Sequence, residues 1–180
     1  WMIDPDDKLK TLPNLIDDFC SPISSNNVLR LDLSEVPFEA NSREILVNAI
    51  GRKLLSVARQ GAINHGAPLL VFIDEAHQFL NKRIGEETNR FELDAFGNIA
   101  KEGRKYGLNT IIATQRPRDI PEDVLSQIGT LIVHRLTNQL DQEIVKKAVG
   151  AIDQRSASFL PVLGQGEALL LGVDFPFPMT

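Results

Sequence analysis

An α/β fold, a mostly parallel sheet with helices on both faces, follows from three features of the 180-residue sequence. Short apolar runs rich in β-branched residues alternate with longer segments of helical spacing. Most of these runs are apolar on both faces, as a parallel strand must be when helices cover each side. The helical segments carry their own start and stop residues, so short connections and right-handed crossovers are expected to wind the units into one parallel sheet.

Taken in chain order, the first expected strand is VLRLDL, Val28 to Leu33, which alone alternates and so belongs near an edge. Asn41 with Glu44 three residues later resembles a capping box. Ile45, Leu46, Ala49, Ile50, Leu54, Val57 and Ala58 then form a broad apolar stripe that ends near Gly61. LLVFI, Leu69 to Ile73, is the second strand. A helix is expected from about Arg90 to Tyr106, with Phe91, Phe96, Ile99 and Ala100 inward and Gly107 as its C-terminal cap. NTIIA, Asn109 to Ala113, is the third strand. Pro121, Glu122 and Asp123 open a short helix that Gly129 ends, because proline suits the first turn and acids complement the positive end of the dipole. TLIV, Thr130 to Val133, precedes a helix capped by Asn138, with Asp141 and Glu143 early, Lys146 and Lys147 late, and Gly150 as its stop. LGQGE, residues 163–167, looks like a phosphate-loop fragment but lacks the lysine and precedes a strand; it reads as a hairpin-like turn. ALLLGV, Ala168 to Val173, is the last strand, and PFPMT leaves the fold.

Composition bounds the function classes. With 43% hydrophobic residues the chain is long enough for one globular domain spanning residues 1–180. A net charge of −5 excludes a protein that coats nucleic acid or anionic membrane with its whole surface, while leaving room for a local basic patch. Cys20 is the only cysteine, so no internal disulfide forms, in keeping with a cytoplasmic location. The apolar runs fall short of the roughly 20 residues of a membrane-spanning helix. Trp1 ahead of Met2 reads as an interior position of a longer chain.

The chemistry concentrates where LLVFI meets Asp74 and Glu75. Ligands of open parallel sheets bind outside the carboxyl ends of the strands. Large apolar residues followed by Asp-Glu form a Walker B motif, in which a rigid strand holds Asp74 for Mg²⁺, directly or through water. Glu75 is then set to orient and polarise the water that attacks a γ-phosphate. The alternative is an acidic helix N-terminus after a core strand, with Asp74 capping and Glu75 in the first turn. Asp74 to His77 also spell the DEAH box of superfamily 2 helicases, which carries a Ser-Ala-Thr motif after the next strand. Here that strand ends in ATQRP instead, and Gln115 at its tip suits a sensor for the γ-phosphate and attacking water, or simply caps the next turn. His77 reads as a partly buried helix residue rather than a catalytic one.

The segments FIDEAHQFL, IAKEGRKYGLNTIIATQRP, DVLSQIGTLIVHRL and LPVLGQGEALLLG, in this order and spacing, resemble the C-terminal half of the ATPase core of the HerA/FtsK superfamily. The likeness spans about residues 28–175 and is greatest to the HerA-type DNA translocases. It implies a RecA-like core, a hexameric ring, ATP with Mg²⁺, duplex DNA moving through a central pore, and a partner nuclease at DNA ends in DNA repair. Arg104 then matches the position of an arginine finger reaching the neighbouring subunit's ATP, a task for a permanently charged, forked donor; a solvated helix arginine is the plainer alternative. Arg116 is a second candidate for phosphate or interface contact. In NKRIGEETNR, residues 81–90, Lys82, Arg83 and Arg90 could grip DNA phosphates from a pore loop, or belong to an ordinary solvated loop.

One part of such a core is missing. No G-x-x-x-x-G-K-[ST] occurs, and no glycine is followed directly by lysine, so the backbone cradle for the β- and γ-phosphates is absent. The chain therefore reads as the back half of an ATPase, inactive alone, whose phosphate loop lies upstream. Two rivals stand beside this reading: an ATPase of the same superfamily serving secretion or conjugation, and a non-catalytic interaction module with a degenerate ATPase fold.

Overall fold

The computed structural model describes residues 11–37, 39–63, 68–80, 83–84, 91–149, 154–172 and 175. The chain divides after Ala113 into two compact units.

In the first unit, α1 (Leu12–Cys20) starts on Thr11, whose hydroxyl accepts from the Asn14 N–H, with a proline in the first turn. This helix was not expected from periodicity, although Thr-Leu-Pro is a legible start signal. Burial pushes the Cys20 thiol up, and Asp17 adds to the effect. Lys53 of α2 (Ser42–Arg59) pairs with Asp17 at 2.6 Å. The inward face of α2 is Val47, Asn48, Ile50, Gly51, Leu54, Leu55, Val57 and Ala58. Ile45 and Ala49, expected inside, are exposed. The expected capping box does not form either. Asn41 takes a left-handed conformation (φ 55°) without a side-chain cap bond, where a capping residue ordinarily has extended backbone.

The parallel core of this unit is β1 (Leu69–Ile73) beside β4 (Leu108–Ile112), in register Leu69 to Leu108 and Ile73 to Ile112. Between them lie an antiparallel pair, β2 (Arg83–Ile84) with β3 (Phe91–Glu92), and α3 (Ala95–Glu102). The helix expected from Arg90 thus begins only at Ala95, and Phe91 is a strand residue. The structural reason is a cap supplied from another element. Asn48, 2% exposed, accepts the Ala95 N–H through Oδ1 at 2.9 Å, while its Nδ2 donates to the Glu92 carbonyl at 3.4 Å. A free helix N-terminus would leave that N–H unsatisfied. Arg52 adds a forked contact to Asp94, at 3.1 and 2.8 Å. Gly51 permits the crossing, since a Cβ there would come 2.8 Å from the Ala95 Cβ.

One face of the β1–β4 pair is packed, with Ile73 and Leu108 buried. On the other face Leu70 and Phe72 are 59% and 70% exposed. VLRLDL forms no strand: Val28 is 82% exposed, and the segment has no ladder partner among the described residues. Local bonds take the place of a ladder there. Asp32 accepts from the Ser34 N–H at 2.9 Å and pairs with Arg30 at 3.2 Å, and the Ser34 bond holds the Asp32 carboxyl below its ordinary range.

The second unit holds α4 (Glu122–Leu125), β5 (Thr130–Val133), α5 (Gln139–Val149), α6 (Gln154–Phe159) and β6 (Leu169–Gly172). Its core is Val133, Val145, Leu160, Leu163, Leu169 and Leu171. β5 and β6 run antiparallel, from Thr130 opposite Gly172 to Val133 opposite Leu169, where parallel strands were expected. Gly172 has φ 131°, and a Cβ on it would meet the Gly129 carbonyl oxygen at 2.0 Å; only glycine admits this approach. α4 stops at Leu125, short of the expected Gly129. Asn138 caps α5 as expected, with Oδ1 accepting from the Leu140 N–H at 2.9 Å. The turn before β6 is closed by Glu167, which accepts the Gly164 N–H at 2.6 Å. Residues 150–153, including the expected helix stop, lie outside the described residues.

Candidate active site at the ends of the parallel strands

The parallel ladder continues one step beyond β4. The Ala113 N–H donates to the Ile73 carbonyl at 2.9 Å, and the Ala76 N–H donates back to the Ala113 carbonyl at 3.0 Å. Between these two bonds the chain carries Asp74 and Glu75 around the carboxyl end of β1. Asp74 is exposed, and its Oδ1 accepts the Glu75 N–H at 2.9 Å. Glu75 sits in the left-handed region, φ 47° and ψ 44°, where an L residue with a long side chain is strained. A single 3₁₀ turn, Ala76–Gln78, follows. The helix that begins here is thus a single 3₁₀ turn with Glu75 at its N-cap position, and Asp74 bonds to its immediate neighbour instead of capping the turn.

The anchor beneath this turn is buried. Ala76 and Leu80 are almost fully enclosed, and the Leu80 N–H donates to the Ala76 carbonyl at 3.1 Å. His77, 8% exposed, directs Nδ1 toward Glu75 Oε2 at 3.3 Å. That oxygen is itself shielded from solvent.

Arg104 lies elsewhere. It belongs to a 3₁₀ turn, Gly103–Tyr106, that follows α3, with Gly107 in the left-handed conformation as its cap. The Leu69 N–H donates to the Gly107 carbonyl at 2.8 Å, which fixes this turn at the amino ends of β1 and β4. Asp74 and Glu75 are at the carboxyl ends, a five-residue strand away, or roughly 15 Å at about 3.3 Å per residue. The Arg104 side chain is exposed and has no ion-pair partner among the described residues. Gly103 is required by close approach, since a Cβ would stand 2.5 Å from the Leu108 carbonyl oxygen.

In the second unit, Gln115 and Arg116 are both exposed. Thr114 Oγ1 accepts the Arg116 N–H at 3.0 Å, and Arg116 Nη1 lies 3.8 Å from Asp119 Oδ2. Arg118 donates its N–H to the buried Asp141 at 3.4 Å. Lys82 and Arg90 lie outside the described residues, and Arg83 is placed only as a residue of β2. Asn48 and Arg52, which fix the helix leading into the Arg104 turn, escaped the sequence reading. The signal was there: an asparagine in the midst of a helix's apolar stripe is a polar group that must find a partner.

A parallel strand pair packed by helices, with its acids on the carboxyl rim, gives this chain the α/β fold of the P-loop NTPases. The genome packaging NTPase of Sulfolobus turreted icosahedral virus 2, solved in complex with ATP-gammaS, shares that fold at a TM-score of 0.55 and 19% identity, over 75% of this chain and 59% of that one. The family described as helicase HerA-like C-terminal matches residues 64–174, and the chain belongs to it. The DNA double-strand break repair helicase HerA of Pyrococcus furiosus is 38% identical over 111 residues, 62% of this chain and 19% of that protein. Its namesake from Sulfurisphaera tokodaii is 29% identical over 159 residues, 86% of this chain and 31% of that protein. The chain thus spans between about a fifth and a third of the length of these relatives. Among the described residues no helix is long and apolar enough to cross a membrane.

Proposed function

We propose that this chain is the C-terminal half of the ATPase core of a HerA-type DNA translocase, which couples ATP hydrolysis to movement on duplex DNA in end processing or repair. The observation that carries the reading is the position of Asp74 and Glu75 on the carboxyl rim of a parallel strand pair, in a chain of this family. The phosphate loop comes from the part of the longer protein upstream of these residues.

Asp74 fits a magnesium site of the kind found beside nucleotides, where one or two carboxylates suffice because phosphate oxygens and water fill the other positions. It is exposed, and the described residues contain no cluster of three or more acidic, histidine or cysteine side chains that would cage an ion without help. Bound there, Mg²⁺ would supply positive charge to the β- and γ-phosphates. Glu75 orients the attacking water and accepts its proton. Gln115 reports on the γ-phosphate, Arg116 contributes to the phosphate or subunit contact, and Arg104 serves the ATP of the adjacent subunit in a hexameric ring. Lys82, Arg83 and Arg90 contact DNA phosphates, and a nuclease acts on the DNA ends so delivered.

The test is Glu75→Gln in the full-length protein. Turnover is expected to fall by about two to three orders of magnitude, as when a positioned base is removed, with ATP binding retained within about threefold. Hydrolysis at the wild-type rate would overturn the reading.

A further inference from the structure

We infer that the Arg59–Glu102 ion pair is a positioning contact that fixes α3 along α2 and so sets where the turn after α3 presents Arg104. The inference rests on the role proposed for Arg104. It goes beyond that role by naming the residues that aim the guanidinium.

The two helices run side by side in the same direction, and α2 holds α3 at both of its ends. Asn48, Arg52 and Arg59 stand four and then seven residues apart on α2, which at 3.6 residues per turn places them within about 40° of one another on one face. At the start of α3, Asn48 caps the Ala95 N–H and Arg52 holds Asp94. At its end, Arg59 Nη2 donates to Oε1 of Glu102, the last residue of α3. From Arg52 to Arg59 α2 rises about 10.5 Å, and from Asp94 to Glu102 α3 rises about 12 Å. Both contacts therefore close together in one axial register, and a slide of α3 along α2 would break them.

Glu102 is poorly placed for the helix that carries it. An acid in the last turn meets the negative end of the helix dipole, where a lysine or arginine would be favourable. Its partner from α2 accounts for it. Gly103 follows at once, pressed so closely on the Leu108 carbonyl oxygen that a Cβ would stand 2.5 Å away, and Arg104 comes next. With Glu102 held on one side and Gly103 against backbone on the other, the start of the Arg104 turn has little slack. A guanidinium that must reach phosphate across a subunit boundary needs that accuracy, because a misplacement of about 1 Å can cost on the order of a hundredfold in rate. The pair itself adds little to stability, since the Arg59 side chain is 52% exposed and that of Glu102 29%.

That separation of aim from stability makes the inference testable in the full-length protein. ATP turnover is measured across an ATP titration, together with the denaturant midpoint. Glu102→Gln and, separately, Arg59→Gln are each expected to lower kcat about tenfold, with KM changed less than about twofold and the midpoint nearly unmoved. Arg59→Lys, which keeps the charge, is expected to stay within about twofold of the wild-type rate. In an Arg104→Ala background, Glu102→Gln is expected to cause no further loss, because nothing is left to aim. Should Glu102→Gln melt early, Arg59→Gln carries the same comparison. A loss that multiplies with that of Arg104→Ala, or an equal loss in Arg59→Lys and Arg59→Gln, would overturn the inference. Arg104→Ala alone separates the two levels. If it turns over at the wild-type rate, the proposed role of Arg104 fails; if it is slow while folded Glu102→Gln and Arg59→Gln turn over normally, positioning alone fails.

Discussion

The two ends of the β1–β4 pair are built in opposite ways. At the carboxyl end, both acidic side chains bend back onto the protein: Asp74 onto the Glu75 N–H and Glu75 toward a buried imidazole. At the amino end, Arg104 stands exposed on a short turn, without an ion-pair partner among the described residues, while the turn beneath it is held by two glycines. One end turns its acids back onto the chain around a left-handed residue; the other presents a charge outward from a rigid base. The difference teaches that one chain cannot bring Arg104 to its own Glu75, because a strand stands between them. If both act on one ATP, as we propose, they come from different subunits.

Substitutions at the amino end can break this comparison. The largest expected effect on stability is that of Gly103→Ala. Its Cβ would be driven against the backbone oxygen of Leu108, which cannot yield as a side chain could. A cost of about 2–4 kcal/mol is expected, read as a shift of the denaturant midpoint with an unchanged slope. A midpoint within error of wild type would mean that the turn is looser than described, and the rigid base for Arg104 would be lost from the account. Arg104→Ala is expected to have the smallest effect on stability, within about 0.5 kcal/mol, since an exposed side chain away from packing contributes little. In the full-length protein the same change is expected to lower turnover by about a hundredfold or more, on the scale of removing a charged group that stabilises phosphoryl transfer. A variant that loses stability but keeps turnover would place Arg104 in the fold and not in the reaction.

How far the sequence disclosed this arrangement differs between elements, for physical reasons. LLVFI and TLIV were legible to the residue because β-branched and large apolar side chains in short runs have few other uses. Asn138 was legible because its cap is local. VLRLDL misled because a strand exists only with a ladder partner, and six residues of good propensity do not supply one. Asn41 misled because a capping signature does not specify backbone torsion. The start of α3 was hidden for the opposite reason: its cap comes from Asn48, distant in sequence, and a trans contact leaves no local trace. The direction of β6 could not be read from its composition, which is apolar on both faces whichever way the strand runs.

The site divides along the same line. The Asp-Glu pair at the end of an apolar strand was visible as a motif. The left-handed Glu75, its contact with His77, and the placement of Arg104 at the far end of the strands are properties of geometry. The sequence alone suggests a helix residue at His77. It lies instead in a 3₁₀ turn, which is what brings its ring back toward Glu75, two positions earlier.

The division of labour between the two strand ends is most directly tested by mixing. Glu75→Gln and Arg104→Ala full-length proteins, each expected to turn over at least about a hundredfold slower alone, are combined at equal concentration under conditions that let subunits exchange, and ATP turnover is measured. Sites shared between neighbours predict that activity returns, since random assembly leaves about a quarter of head-to-tail interfaces with both groups intact. A mixture as inactive as either variant alone, with exchange verified, would contradict the account.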